Sequence, residues 1–162
     1  MANLIDPTEL MFTAFEPKVT NRFVFYVDGI PSYLIRKAAR PKLVNGETEI
    51  KHINNSRFIK GRSNWDAITV ELYDPIVPSG AQAVMEWARL HHESVTGRNG
   101  YADFYKKDVT INVLGPVGEV EEWTGKGAFL TDADFGEISW ENDGVPAIIS
   151  LTIRCDYWIL QY

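Results

Sequence analysis

The 162-residue sequence has little of what metal and redox sites need: one cysteine, Cys155, and three histidines. A single cysteine excludes an intramolecular disulfide and any zinc or iron–sulfur site built from several cysteines. Cys155 lies in an apolar run, which is typical of a small buried side chain. His91 and His92 are adjacent on a predicted helix, where neighbouring side chains point about 100° apart and do not converge on one ion. We therefore expect no metal and no cofactor.

Long hydrophobic runs and excess positive charge are also missing. No apolar run approaches the roughly 18–20 residues that span a bilayer, and the N-terminal residues lack the basic-then-apolar pattern of a secretory signal. We expect no membrane partner. The 16 Lys and Arg residues against 22 Asp and Glu residues give a net charge of −6. Because proteins that bind nucleic acid neutralise its phosphates with basic patches, this net negative charge argues against a DNA-binding protein.

Common catalytic motifs are absent as well. The sequence has no glycine-rich phosphate loop, no dinucleotide fingerprint, no HExxH zinc motif and no nucleophile elbow. Its carboxylate clusters, Glu119/Glu121/Glu122 and Asp132/Asp134, could act as acid–base pairs, but we favour solvated or lumen-facing charge. On a strand, Glu119 and Glu121 are predicted to share one face while Glu122 points away. We expect that the protein is not an enzyme.

Length and composition predict a single domain, residues 1–162. An ordinary domain has about 100–200 residues, and 45 % of this sequence is hydrophobic, enough to offset the chain entropy that keeps polar sequences disordered. Asp6 and Pro7 begin a capping pattern that predicts a short helix ending at Phe15. This helix would lie in an apolar N-terminal arm, residues 1–17.

The first half of the domain is predicted to consist of strands interrupted by one long polar segment. Residues 22–28 and 32–39 are predicted to pair as a hairpin. Residues 40–64 are predicted to form a long loop or, around an Asn45-Gly46 turn, a protruding hairpin. Apolar and polar residues alternate within residues 65–73, which predicts a half-buried strand.

One amphipathic helix is predicted at about residues 79–96. Ser79 and Gln82 form a capping box, apolar residues including Val84 and Trp87 recur at helical spacing, and Gly97 is a natural stop. This stripe is typical of a helix that packs on a sheet.

Strands fill the remaining sequence. They are predicted over residues 107–113, 119–130, 135–140 and 147–157, with a bend or bulge at Gly125 and Gly127. The predicted order is a set of strands, one helix and a second set of strands. Because strands and helices do not alternate regularly, this order predicts a mainly β fold. We expect an antiparallel β-sandwich or barrel with one flanking α-helix.

Four sequence features together resemble the tail tube proteins of contractile-tailed bacteriophages. They are RFVFYVDG near the start, Asn64-Trp65-Asp66 before Thr69-Val70, the helix around Trp87, and Ile153 followed by Asp156-Tyr157-Trp158 at the end. Their order and spacing cover nearly the whole chain. The sequence departs from the family pattern by continuing through residues 159–162, an extension to which the resemblance assigns no role.

The resemblance implies a structural virion protein. Six copies would join edge to edge into a ring, and rings would stack into a hollow tube inside a contractile sheath. Its partners would be further copies of itself, the sheath protein, and the baseplate and tail terminator proteins, while the tape measure protein and DNA would pass through the lumen without specific binding. It would be assembled in the host cytoplasm and located in the virion tail. Two features of the sequence agree with this arrangement. A closed ring would cover the exposed edges of the predicted strands, and the net negative charge suits a channel wall that repels DNA phosphates.

The resemblance and the strand alternation together give two sets of candidate residues. Polar members of amphipathic strands are candidates for the lumen wall: Thr69, Glu71, Ser150, Thr152 and, on a strand that bends, Glu119 and Glu121. The N-terminal arm and the polar segment supply candidates for contacts between subunits or between rings: Phe12, Phe15, Asn45, Glu47, Ile50, Ile53 and Phe58.

Three alternatives remain at this point. The first is the tube of a bacterial contractile injection system, such as type VI secretion, which sequence alone separates poorly from a phage tail tube. A baseplate tube-initiator would occupy only one ring. A protein of a different class, a small-ligand-binding β-barrel, would need an apolar cavity with convergent polar groups.

Overall fold

The computed structural model describes residues 16–162, and the helix predicted up to Phe15 lies outside this range. Nine strands account for about half of the described chain: β1 (Phe23–Val27), β2 (Ile35–Ala38), β3 (Leu43–His52), β4 (Asn55–Trp65), β5 (Ile68–Tyr73), β6 (Lys107–Leu114), β7 (Glu119–Asp134), β8 (Ile148–Arg154) and β9 (Tyr157–Leu160). Helix α1 (Gly80–His91), the four-residue α2 (Ala102–Tyr105) and a 3-10 turn (Ser32–Leu34) complete the regular elements. The fold is mainly antiparallel β with one substantial helix, as the sequence predicts.

The strands form a seven-stranded antiparallel system and a separate hairpin. The order in the larger system is β1-β6-β7-β8-β5-β2, with β9 also paired to β7. This system has two layers, and strand β7 belongs to both of them. Its first half pairs with β6 and β9 in one layer, and its second half pairs with β8 in the other. Strands β3 and β4 pair only with each other.

The bend of β7 lies at the predicted glycines. The register between β6 and β7 shifts between Lys107 and Val109, which face Ala128 and Gly125. Gly127 in this interval has φ 63°, a conformation that glycine adopts without strain. At Gly125, a Cβ would lie 2.8 Å from Cys155 Sγ. The two glycines therefore let one strand turn from one layer into the other.

Alternating apolar residues from both layers build the core. In β5, Ile68, Val70 and Leu72 are buried while Thr69 is exposed, which confirms the predicted alternation. Helix α1 buries Val84 and Trp87 against this core. The Trp87 indole N–H donates to the carbonyl of Tyr105 at 2.8 Å, linking α1 to α2.

Helix α1 begins as predicted but is shorter. Ser79 accepts a hydrogen bond from the backbone N–H of Gln82 and caps the helix. The helix ends at His91 because His92 is extended and forms a β-bridge with Asn99. The chain turns between these residues, and Gly97, with φ 70°, belongs to that turn rather than to the helix end.

Two strand predictions were wrong. The predicted hairpin of residues 22–28 and 32–39 does not form, because β1 pairs with β6 and β2 pairs with β5. A 3-10 turn separates β1 from β2 and carries the chain to the other layer. Residues 135–140 form no strand and belong to an irregular segment, residues 135–147.

Candidate assembly surfaces

Four of the predicted lumen residues lie side by side on one face of the sheet. Thr69 faces Thr152, and Glu71 faces Ser150, across the β5–β8 pair. Because directly opposed residues of an antiparallel pair point to the same side, the four side chains form one polar surface. We call this surface, Thr69, Glu71, Ser150 and Thr152, the polar face. It lies opposite the buried residues of the same strands.

Glu71 is neutralised within the chain. Its carboxylate lies 3.0 Å from Lys37 Nζ and 3.5 Å from Arg36 Nε. Both cations come from β2, where a register shift between Ile35 and Lys37 brings two successive residues toward Glu71. Glu71 therefore adds little net negative charge to the polar face.

Two carboxylates outside the predicted set of lumen-wall candidates extend the polar face. Asp132 faces Thr152, and Asp134 faces Ser150, on the neighbouring strand β7. Both aspartates are exposed. A register shift between Leu130 and Asp132 interrupts the alternation of β7, so a simple period of two does not assign these residues to a face. Only their pairing with β8 shows that they belong with Ser150 and Thr152.

Glu119 and Glu121 do not share a strand face, contrary to the prediction. A register shift between Val113 and Leu114 opposes Glu121 to Val113 and Glu119 to Leu114. The extra residue of this β-bulge reverses the side on which Glu119 lies. Glu119 accepts a hydrogen bond from Asn112 Nδ2 at 2.6 Å, and Asn112 is paired with Glu122. Glu119 and Glu122 thus lie on the same side.

Glu121 is buried inside the single chain, at 4 % exposure. Its carboxylate forms a three-donor cluster with Lys18 Nζ, Arg40 Nη2 (2.6 Å) and the indole N–H of Trp123. Burial raises the pKa of this carboxyl, but the hydrogen bonds from Lys18, Trp123 and Arg40 outweigh burial and lower the pKa to about 2. Glu121 therefore joins the start of the described chain, the strand system and the segment that enters β3.

The residues beyond 158 run along β7. Ile159 and Leu160 lie in β9 opposite Thr124 and Trp123. The backbone of Gln161 donates to Glu122 at 2.8 Å, and the Tyr162 hydroxyl donates to Glu119 at 2.6 Å. The hydrogen bond to Glu119, aided by burial, raises the pKa of Tyr162 to about 12. In this chain the extension lengthens the sheet edge beside β7.

The polar segment of residues 40–64 contains the β3–β4 hairpin, but Asn45-Gly46 is not its turn. His52 pairs with Asn55, so Ile53 and Asn54 form a two-residue loop at the tip. Asn45-Gly46 lies at a register shift within β3, and a Cβ on Gly46 would lie 2.8 Å from the carbonyl oxygen of Arg62. The glycine is needed there for close strand approach rather than for a turn.

The hairpin leaves its candidate contact residues exposed. Ile50 is 49 % exposed, Phe58 is 62 % exposed, and Ile53 at the tip is 93 % exposed. Asn45 and Glu47 are accessible at the hairpin base, although Asn45 accepts a hydrogen bond from Ser63 at 2.7 Å. Phe12 and Phe15 lie outside the described residues.

The larger strand system has open edges. Strand β1 pairs only with β6, β2 only with β5, and β9 only with β7 among residues 16–162. Unpaired edges are templates for pairing with another chain unless they are covered. These edges can serve the edge-to-edge association predicted from the sequence.

Cys155 is buried, and burial, followed by the charges of Asp156 and Asp108, raises the pKa of its thiol to about 12. His92 bonds Asn99 at 2.8 Å. Within residues 16–162, no group of three His, Cys, Asp or Glu side chains is placed to hold a metal ion. None of the helices in that range is both long and apolar enough to cross a membrane.

No family model and no curated protein matches the sequence, but solved structures do. A chain from the sheath/tube terminator of an extracellular contractile injection system, PVC, in the extended state is 18 % identical with a TM-score of 0.74, covering 93 % of this chain and 100 % of that chain. A chain from the tube-terminating cap of the anti-feeding prophage is 17 % identical with a TM-score of 0.73, covering 99 % of each.

A third match comes from the PVC sheath–tube complex in the extended state, with 19 % identity, a TM-score of 0.69, and coverage of 90 % of this chain and 91 % of that chain. At these identities the similarity establishes the fold. The chain has a tail-tube-like β-rich fold that extends over nearly its whole length, so the sequence resemblance is confirmed at that level.

Proposed function

We propose that this protein is a structural subunit of the tail tube inside a contractile sheath. Six copies associate edge to edge into a ring, and stacked rings form the channel through which a phage genome leaves. The observation that carries the proposal is the near full-length similarity, in both directions, to chains from tube-containing contractile assemblies. A solvent-exposed hairpin and open strand edges support it, because both are features that association would cover.

The polar face is our candidate for the lumen wall. It carries small hydroxyls and the carboxylates Asp132 and Asp134, and its third carboxylate, Glu71, is already paired with cations. Carboxylates repel the phosphate backbone, and hydroxyls add little adhesion. DNA and the tape measure protein would therefore pass such a wall without being held. Glu121 is not carried forward as a wall residue, because its carboxylate is engaged inside the chain.

The remaining parts of the proposal concern partners and location. A tube subunit contacts the sheath on its outer surface and the baseplate and tail terminator at the two ends of the tube, and it performs no catalysis. In a phage, the protein is located in the virion tail after assembly in the host cytoplasm.

A second candidate is the tube or tube terminator of an extracellular contractile injection system. The similarity to chains from a PVC terminator structure and from an anti-feeding prophage cap favours it. The fold is the same in both cases, and the difference lies in what is attached to the tube. Immunogold labelling of particles from a producing culture separates the two, because a phage tail carries a DNA-filled head and an injection system does not.

Sedimentation velocity of the purified protein over a concentration series tests the shared part of both candidates. We expect a shift from monomer to ring-sized and longer species as concentration rises. A strictly monomeric species at high concentration, both alone and with baseplate components as nuclei, would contradict the tube proposal.

A further inference from the structure

Residues 135–147, which we call the acidic loop, form an exposed surface between the end of β7 and the start of β8. The loop carries three carboxylates, Glu137, Glu141 and Asp143, and no lysine or arginine. Its large apolar side chains point into solvent: Ile138 is 93 % exposed and Trp140 is completely exposed. Together with the start of β8, the loop borders an open cleft of about 310 Å³, which is lined by Ile138 but not by Trp140. Exposed aromatic and aliphatic side chains beside a cleft are typical of an interaction site.

The β3–β4 hairpin has the complementary character. It carries four cations, Lys51, Arg57, Lys60 and Arg62, against two carboxylates, Glu47 and Glu49. In the described part of the chain, none of these four cations forms an ion pair, and neither do the three carboxylates of the acidic loop. The ion pairs of that part are Lys18–Glu121, Arg36–Glu71, Lys37–Glu71, Arg40–Glu121, Lys42–Asp66, Lys106–Asp156, Lys107–Asp28 and Lys126–Asp108. Both surfaces thus have unpaired charge of opposite sign beside exposed apolar residues.

The hairpin tip has an unusual backbone. Ile53 has φ 50°, a region that β-branched residues rarely adopt and that glycine or asparagine adopts at lower cost. Its side chain is also almost fully exposed. Neither the turn nor the core of this chain explains an isoleucine here, and strained positions of this kind concentrate at functional surfaces. A contact with another molecule would explain it.

The two surfaces lie at opposite ends of the same strands. The hairpin joins the larger strand system where β4 ends at Trp65, just before β5 begins at Ile68. The acidic loop lies at the other end, where Tyr73 pairs with Ile148. Six residues at about 3.3 Å each place these ends roughly 20 Å apart. Two complementary surfaces at opposite ends of one molecule favour head-to-tail association, which builds rings or filaments rather than closed dimers.

We infer that the acidic loop of one copy receives the hairpin of a second copy, with the apolar tip of the hairpin against Ile138 and Trp140 and its cations against the loop carboxylates. This inference rests on the proposed tube function and names the surface that the hairpin binds. Charge pairing sets orientation and partner choice, and burial of the apolar side chains supplies most of the affinity.

A charge-swap experiment tests the contact. Glu137→Lys/Glu141→Lys in the loop and Lys51→Glu/Arg57→Glu in the hairpin should each reduce assembly at least tenfold in sedimentation velocity. An equimolar mixture of the two variants should recover assembly, because each reversed surface then meets an opposite one. The variant Glu86→Lys/Asp103→Lys makes the same charge change on exposed helix residues and should assemble like the wild type. Assembly of both reversed variants at the wild-type level, or no recovery in the mixture, would overturn the inference.

Cross-linking keeps the contact testable apart from tube formation. Ile53→Cys and Ile138→Cys chains, each also carrying Cys155→Ala, are mixed and treated with a short bismaleimide. We expect a mixed dimer at least five times more abundant than with an Ile53→Cys and Val95→Cys pair, since Val95 is equally exposed but lies outside the acidic loop. No such enrichment would overturn the contact, whether or not the wild-type protein forms tubes. Enrichment without any tubes would support the contact and contradict the tube function.

Discussion

Arg40 donates a hydrogen bond to Glu121 at 2.6 Å, although the two residues are 81 positions apart in the sequence. Arg40 precedes the hairpin and Glu121 lies in β7, so this pair fixes the base of the hairpin to the strand system. Lys18 shares the same carboxylate. The cluster is thus placed to set the direction in which both the N-terminal segment and the hairpin leave the domain.

Glu121→Gln should destabilise the domain by about 1–3 kcal/mol, because it removes the charge of a buried carboxylate and leaves the partly exposed Lys18 and Arg40 without their counter-charge. Chemical denaturation measures this loss. Glu86→Gln, on the exposed side of α1, is the matched control and should change stability by less than about 0.5 kcal/mol. Equal effects of the two substitutions would contradict the structural role of Glu121.

The effect of Glu121 should also depend on pH. Its pKa is lowered from 4.5 to about 2 in the folded chain, so its ionised form stabilises the folded state fully above about pH 4.5. This contribution falls as the pH drops from about 4.5 toward 2. The stability difference between the wild type and Glu121→Gln should therefore shrink over that interval. A difference that stays constant from pH 6 to pH 2.5 would contradict the assigned pKa.

Gly125→Ala should destabilise the fold by about 1–3 kcal/mol through overpacking. The new methyl group would lie 2.8 Å from both Cys155 Sγ and Val109 Cγ2. Adding Cys155→Ala removes the sulfur and should restore part of the loss, giving a coupling of at least about 0.5 kcal/mol in a double-mutant cycle measured by thermal unfolding. Strict additivity of the two substitutions would show that the close approach is not the cause.

The sequence predicted the parts of the fold that depend on local periodicity. The alternation in β5 and the cap at Ser79 follow from side-chain pattern and backbone hydrogen bonding, and both are present. Pairing of distant strands was not predictable in this way, since nothing local indicates that β1 pairs with β6 instead of β2. A bulge caused one further misassignment, because one extra residue in β7 reverses the side on which Glu119 lies.

The polar face was also predicted only in part. Thr69, Glu71, Ser150 and Thr152 were selected separately from two strands, and the structure brings them together. Asp132 and Asp134 were interpreted as solvated or lumen-facing charge but were not assigned to that surface, because a register shift hides their alternation. Residues 135–140 of the acidic loop were predicted to form a strand, since their apolar residues have β-like spacing but remain in solvent.

Deletion of residues 46–60 should leave a folded domain that no longer stacks into tubes. Asn45 and Ser63 are paired, so the deletion joins them through Gly61 and Arg62, a two-residue loop with glycine first that suits a type II′ turn. We expect a thermal midpoint within a few degrees of the wild type and no long species in sedimentation velocity. Tubes of normal length from the deletion variant would show that the hairpin is a passive projection.

Thiol accessibility should show whether the polar face lines the lumen. Thr69→Cys is a better probe than a change at Glu71, which would also break two ion pairs. With Cys155→Ala as background, the monomer should react with both small and polymer-linked maleimides. The assembled tube should react with the small reagent and exclude the large one except at its ends. Reaction with both reagents would place Thr69 on the outer surface, and reaction with neither would place it in a subunit interface.

Electron cryo-microscopy of the purified, concentrated protein is the most direct test of the proposed tube. We expect hollow tubes made of stacked six-fold rings, in which Thr69 and Thr152 face the channel and the hairpin of each subunit lies on another copy. Particles that remain single domains at high concentration even with a baseplate nucleus, or closed two-fold dimers with no central channel, would contradict it.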